Sequence, residues 1–296
     1  MGFYGAVIYK KFTNKKGVIF PRKSVYGEEL REGMTQKEVF EKIYSEERLD
    51  HFSFHDSKDP LTRYLRDRRL NIALSEIKKN AKDFNCDWKI LTVCDGVGGE
   101  GTFFANLGFN SVTVSDISQN ALNYCVKRDP RLKTLLLNAE DTELTEATFD
   151  LVVVQDGLHH LKRPFLGYTE MLRIARKAVI VIEPHTGVVA RIFGTVWEKH
   201  YGEVNYVFRW NYFILRQITN SYLLKSDFSI KFIRLWDHNL VMGKIAKIFG
   251  GGKAGLFIVK IVYSILNSIF SGFGNMMIGI VIKENSVIKE IINENR

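Results

Sequence analysis

Apolar and polar positions fall in repeating blocks along this chain, most densely from residue 89 to residue 184. The block opens on Ile90-Leu91-Thr92-Val93-Cys94 and breaks at Asp95-Gly96-Val97-Gly98-Gly99-Glu100-Gly101. Phe103, Phe104 and Leu107 then recur at helical spacing, and a second apolar run, Val112-Thr113-Val114, ends at Asp116. Short apolar runs bounded by glycine and polar turns predict buried strands, and the three-to-four spacing between them predicts a crossover helix. The pattern repeats. Leu135-Leu136-Leu137 ends in Asn138-Ala139-Glu140-Asp141, and Phe149-Asp150-Leu151-Val152-Val153-Val154 runs into Gln155. Met171-Leu172-Arg173-Ile174-Ala175 is helical, and Ala178-Val179-Ile180-Val181-Ile182 closes at Glu183-Pro184. Strands alternating with helices predict an α/β fold with a mostly parallel sheet.

The flanks read differently. Residues 6–9 and 18–20 alternate around Asn14-Lys15-Lys16-Gly17, which predicts a hairpin. Thr35 and Glu38 have the spacing of a capping box. Residues 61–81 read as a helix with a basic face of Arg63, Arg66, Arg68 and Arg69, either solvated or in contact with an anionic acceptor. Two late strands are predicted at 228–233 and 276–282. Residues 187–227 form an aromatic insertion with Trp197, Tyr201, Tyr206, Phe208, Trp210, Tyr212 and Phe213, either packed as its own core or with Tyr201 or Tyr206 near an acceptor. In a second insertion, 237–275, Lys244, Lys247, Lys253 and Lys260 alternate with apolar residues. Its run 254–270 is short for a clean membrane span. It either lies flat on a bilayer with its lysines toward phosphates or packs as a helical hairpin.

Strand, glycine turn, helix, strand and acid together make the minimal unit for holding an adenosine-containing cofactor. Glycine lets the backbone approach a ligand closely, the helix start offers unpaired N–H groups, and Asp116 is placed to accept from both ribose hydroxyls. Two cofactor classes fit. Gly96, Gly98 and Gly101 match the dinucleotide fingerprint G-x-G-x-x-G. The continuation instead resembles class I S-adenosylmethionine-dependent methyltransferases. The glycine turn, the acid after the second strand, the acidic turn after the third, the Phe149-Asp150-Leu151-Val152 strand and the Leu158-His159-His160-Leu161 turn stand in that superfamily's order. The resemblance covers 88–183, and 276–283 more loosely. Leu91-Thr92-Val93-Cys94-Asp95-Gly96, His159-His160-Leu161-Lys162-Arg163-Pro164 and residues 170–177 are similar to a group mostly known as predicted methyltransferases of bacterial surface-glycan or small-molecule clusters. Thr92 stands where an acid is usual and Cys94 where the first glycine is usual, so Asp95 is the substitute carboxylate, one residue displaced.

The resemblance implies a Rossmann-like, mostly parallel seven-stranded sheet with an antiparallel last strand. It implies a hairpin and helical cap over 1–84 and a methyltransferase domain over 85–296, with 187–227 and 237–275 as helical insertions forming an acceptor-side lid. The implied cofactor is S-adenosylmethionine, leaving as S-adenosylhomocysteine. Asp95, Gly96, Val97 and Gly98 would flank its methionine part, with Gln155 nearby. Asp116 would hold the ribose, Ile117 would lie under the adenine, and Ala139 and Glu140 would border the adenine edge. Histidine suits a general base near neutral pH, and the candidates are His160, His159 and His185. No spaced acidic set is specific to Mg²⁺, so metal independence is expected. The expected reaction is O-methylation of a small-molecule, sugar or lipid-linked acceptor. The alternatives are C-methylation of a quinone-like or lipid acceptor, and a binding protein that holds the cofactor without catalysis.

A hydrophobic content of 46% supports a real core. The net charge of +9, from 42 basic and 33 acidic residues, suits an anionic partner. Nucleic acid is the disfavoured one, because Gln155-Asp156-Gly157-Leu158 replaces the Asn-Pro-Pro-Tyr type of tetrad after the fourth strand. Three sparse cysteines, with no Cys-x-x-Cys pair, point to a reducing compartment and away from structural zinc. The expected location is cytoplasmic, with peripheral contact to an anionic membrane through 240–270 if the second insertion lies on a bilayer.

Overall fold

Nine strands and eight α-helices build the described part of the chain. The computed structural model describes residues 35–45, 60–187, 197–200, 203–224 and 227–283. The hairpin predicted within residues 6–20, together with His51, His55 and Tyr201, lies outside them. In chain order the elements are α1 (Gln36–Ile43), α2 (Pro60–Asn80), β1 (Lys89–Val93), α3 (Gly99–Asn106), β2 (Ser111–Asp116), α4 (Gln119–Arg128), β3 (Lys133–Leu136), β4 (Phe149–Gln155), α5 (Pro164–Ile174) and β5 (Ala175–Pro184). They continue with β6 (Trp197–His200), β7 (Glu203–Tyr206), α6 (Tyr212–Tyr222), β8 (Phe228–Leu235), α7 (Asn239–Ile248), α8 (Gly252–Ile269) and β9 (Met276–Lys283).

Seven strands form one sheet in the order β3-β2-β1-β4-β5-β9-β8. The first five are mutually parallel, and β9 runs antiparallel to both β5 and β8. This is the mostly parallel seven-stranded sheet with an antiparallel last strand that the resemblance implied. Side chains alternate across a strand, and the core divides accordingly. Ile90, Val153, Ile180 and Ile280 face α2, α3 and α4 through Leu70, Ile77, Phe104 and Leu122. Leu91, Val152, Val181 and Val281 face Tyr168 and Met171 of α5, Leu215 of α6 and Trp210 just before α6. Helix α2 therefore packs into the same core as the strands.

The late insertions differ in character. Residues 187–227 hold an antiparallel pair, β6 with β7, as well as the helix α6. Part of the aromatic run is core: Trp210 is fully buried, edge-on to Phe208, Phe165 and Tyr168. Residues 237–275 form the helical hairpin α7–α8. The basic face of α2 is not solvated throughout. Arg68 and Arg69 are buried; Arg68 stacks 3.9 Å over the Tyr263 ring, and Arg69 sits between two carboxylates.

Candidate active site

The carboxyl ends of β1, β2, β4 and β5 converge on the glycine turn. Asp95, two residues past the end of β1, is fixed by three donors: Thr92 Oγ1 at 2.7 Å and the backbone N–H groups of Glu100 at 3.0 Å and Gly101 at 2.8 Å. Two of those donors are otherwise orphaned groups of the first turn of α3, so Asp95 caps the helix. Thr92, where an acid is usual, binds the displaced acid. Gly96 and Gly98 have φ of +56° and +80°, the left-handed region that glycine enters at no steric cost. A Cβ on Gly98 would stand 2.4 Å from Cys125 Sγ. Cys94 adopts φ +55° without being glycine.

Asp116 closes the turn from the end of β2. One oxygen accepts from Gly96 N–H and the other from Ser118 N–H, both at 2.9 Å. Ser118, not Asp116, caps α4 by accepting from Ala121 N–H. Burial pushes the Asp116 carboxyl up to about 6, against the lowering effect of backbone donors at Ser118, Gly96 and Ile117. Burial, reinforced by Asp95, raises Glu100 well above the carboxylate range, and Gln155 Nε2 donates to Glu100 Oε1 at 2.6 Å. The Cys94 thiol is held protonated by burial and by Asp116, Glu183, Asp95 and Glu140. The turn is thus ringed by acids in a chain whose net charge is positive.

Helix α1 is strapped across this cluster. The predicted capping box of Thr35 and Glu38 starts it. At one side Glu41 accepts from Ser118 Oγ and from the N–H groups of Gln119 and Asn120, the first turn of α4. At the other, Gln36 Nε2 donates to the His160 carbonyl, and Phe40 packs edge-on to the His160 ring at 5.8 Å. Tyr44, at the helix end, brings its hydroxyl over Gly96. Its phenol is raised well above its ordinary value, first by burial and then by Asp116, Asp95 and Glu100. Sequence reasoning found the cap but missed Tyr44. Tyr64 of α2 packs on Tyr263 beside Lys260.

The two adjacent histidines lie in a short 3₁₀ turn, Leu158–His160. Their rings are side by side, centroids 4.2 Å apart. His159 is buried, and its Nδ1 lies 2.7 Å from Glu183 Oε2. The other Glu183 oxygen accepts from Gly157 and Leu158 N–H. An ionised carboxylate only accepts, so the His159 proton sits on Nδ1 and Nε2 is the basic atom. His185 is also buried. Its Nδ1 contacts the Trp210 carbonyl at 2.8 Å and its ring meets Phe232.

The remaining predicted residues are spread around the same edge. Val97 and Ala139 are buried and Ile117 is half-buried. Glu140 pairs with Arg163 at the start of α5. Asp150 accepts from Lys89 N–H and pairs with Arg176. Sequence reasoning also missed Arg69, whose Nη1 meets Asp156 at 2.6 Å and whose Nε meets Asp237 at 3.0 Å. Asp156 directly follows Gln155, so this pair ties α2 and the base of the α7–α8 hairpin to the rim of the site. Among the described residues, no three His, Cys, Asp or Glu are placed to share a metal ion.

Comparison with known proteins bears on this arrangement. The family model described as a methyltransferase domain matches residues 93–182. No curated protein matches the chain by sequence. A phosphoethanolamine N-methyltransferase 2 from Haemonchus contortus, solved with phosphomonomethylethanolamine and S-adenosylhomocysteine, superposes with a TM-score of 0.56 at 11% identity. That match covers 85% of this chain and 60% of the other, longer one. Magnesium protoporphyrin IX methyltransferase from Synechocystis PCC 6803, solved with S-adenosylmethionine, gives 0.52 at 12% identity, covering 86% of this chain and all of that one. At such identities the likeness is one of fold. Residues 93–182 thus match a methyltransferase-domain model, and the chain takes the fold seen in these methyltransferase structures.

Proposed function

We propose that this protein is an S-adenosylmethionine-dependent methyltransferase that methylates an oxygen of a small-molecule, sugar or lipid-linked acceptor. The observation that carries the proposal is the pairing of Asp116 with Gly96 at the mouth of an acid-ringed glycine turn. The residues suit that cofactor. The Asp116 oxygens accept from the Gly96 and Ser118 N–H groups and retain acceptor capacity for the ribose hydroxyls. Gln155 Oε1 is buried with no donor among the described residues, which suits a ligand amino group. Buried acids favour a ligand carrying positive charge, and the methionine part carries both a sulfonium and an ammonium.

When bound, the cofactor supplies an activated methyl group for in-line displacement. This chain's residues then have three tasks. The turn from Asp95 to Gly98 fixes the donor's direction. Helix α1 and Tyr44 cover it and exclude water. His159, oriented by Glu183, accepts the acceptor's hydroxyl proton at Nε2, by the same logic as a carboxylate-oriented histidine in acyl transfer. Ala139, Glu140 and Ile117 border the adenine in this reading, and His160 and His185 shape the acceptor side. Calorimetric titration with S-adenosylmethionine and with NAD, followed by labelled-methyl transfer to hydroxylated acceptors, tests it. Binding of the sulfonium donor alone, with transfer, is expected. Preference for the dinucleotide, or no donor binding, would sink the reading.

A further inference from the structure

We infer that the α7–α8 hairpin is a docking surface for an anionic lipid bilayer. Both helices already have a buried side. Met242 and Ala246 of α7 and Val259 and Tyr263 of α8 pack together with Leu65 of α2. A surface helix with its apolar stripe so used carries polar residues on the opposite side. Here the opposite side is apolar too. Phe257, Ile261, Ile265 and Ile269 recur four residues apart and are 63%, 40%, 49% and 69% exposed. Phe270 and Phe273 extend that stripe, and Val241, Ile248 and Phe249 add to it from α7.

The charge of this segment names the partner. From residue 239 to residue 283 the sequence contains Lys244, Lys247, Lys253, Lys260 and Lys283, and no aspartate or glutamate. Lys244, Lys247 and Lys253 are exposed. Lys260 projects at the edge of the stripe, 5.3 Å from the Tyr64 ring. An apolar stripe edged by lysines and free of acids fits the boundary between acyl chains and anionic headgroups. A second copy of this chain fits less well, because pairing the two stripes would bring like charges together.

The geometry also fixes how the hairpin would lie. Among the described residues α8 is the one helix long and apolar enough to cross a membrane. Its 18 residues span about 27 Å, short of the roughly 30 Å hydrocarbon layer. Its inner side is held to the protein: His238 N–H donates to the Tyr263 hydroxyl, and Arg68 stacks on the Tyr263 ring. The helix therefore rests along the surface. Asp237, at the hairpin's base, is joined through Arg69 to Asp156 beside the glycine-turn cluster. Docking would thus set that site at a fixed height above the bilayer.

Co-sedimentation of the full chain with phosphatidylcholine vesicles, with and without phosphatidylglycerol, tests this. Wild type should pellet with the anionic vesicles at least tenfold more strongly than with the neutral ones, and less as salt rises. Each lysine removed should weaken the partition about fivefold, so Lys244→Gln/Lys247→Gln/Lys253→Gln should nearly abolish it. Phe257→Ser/Ile261→Ser/Ile265→Ser should also abolish it. All these positions are exposed, so thermal unfolding should be unchanged, and the salt dependence of wild type needs no variant. Failure of wild type to pellet, equal pelleting with neutral vesicles, or undiminished pelleting of both triple variants overturns the proposal. So does a concentration-dependent dimer, lost in the apolar variant, with no vesicle binding.

Discussion

The hydroxyl of Tyr44 covers Gly96 so closely that a Cβ on the glycine would stand 2.4 Å from it. Gly96 also has φ of +56°, where an L residue costs about 1–2 kcal/mol. Gly96→Ala should therefore destabilise through both effects, and through the backbone alone once the phenol is gone. In urea unfolding, the cost of Gly96→Ala should be smaller in a Tyr44→Ala background, by about 0.5–3 kcal/mol as for residues in contact. Equal costs in the two backgrounds would show that the strap does not reach the glycine turn. Donor release should also quicken in Tyr44→Ala, read by stopped-flow fluorescence.

Asp116 gives a pH signature. Burial lifts its carboxyl from an ordinary 3.8 to about 6. The folded, unliganded protein then holds a proton that the unfolded chain has released between about pH 4 and 6. This group's share of stability falls as pH rises through that window, by on the order of 3 kcal/mol in total. Ribose hydroxyls donate to the ionised form, so donor affinity runs the other way. It should fall below about pH 6, at most tenfold per pH unit. Asp116→Asn should bind roughly 1–3 kcal/mol more weakly in mildly alkaline buffer and lack that acid-side decline. Calorimetry across pH reads both, and a pH-flat wild type would contradict the assignment.

What the sequence made legible follows its physical signals. The strands from Lys89 to Pro184 were readable because buried parallel strands are nearly continuous apolar runs. Asp116 was readable because the chain's own order places it after the second strand. The capping box at Thr35 and Glu38 was local and so visible, but where that helix docks depends on Glu41 meeting the start of α4, a contact between residues far apart in sequence. No periodicity reports such a contact, so Tyr44 stayed hidden. The same holds for Arg68 and Arg69. Four arginines close in sequence look like one basic face, yet Asp156 and Asp237, which hold Arg69, and the Tyr263 ring and Trp236 carbonyl, which hold Arg68, come from much later in the chain.

Arg69 therefore separates from its neighbours under substitution. It is buried between Asp156 and Asp237, and burial already pushes Asp237 upward against the pull of Arg69 and Arg68. Arg69→Met would leave two carboxylates without their cation. Breaking a buried ion pair by removing one partner costs about 3–5 kcal/mol, and chemical denaturation should show a loss of that order. Arg63 is exposed on the same helix, and Arg63→Ala should stay within about 0.5 kcal/mol of wild type. Equal small effects would mean that α2 does not carry the ion pair inward.

The Glu183–His159 pair allows a test that leaves the fold in place. One Glu183 oxygen accepts from Gly157 and Leu158 N–H, and the other faces His159 Nδ1 at 2.7 Å. In Glu183→Gln the amide oxygen can still serve the two backbone donors, while its NH₂ group faces His159. A donor there pushes the histidine proton from Nδ1 to Nε2, the atom that must accept from the acceptor. Turnover should fall by about 10²–10⁴-fold, the usual contribution of a positioned base, with donor affinity and thermal unfolding near wild type. His159→Ala should fall as far, and combining the two should add little, because both remove one function. A Glu183→Gln enzyme with wild-type kcat and an unchanged pH profile would take His159 out of the chemistry and leave proton removal to His160, His185 or solvent.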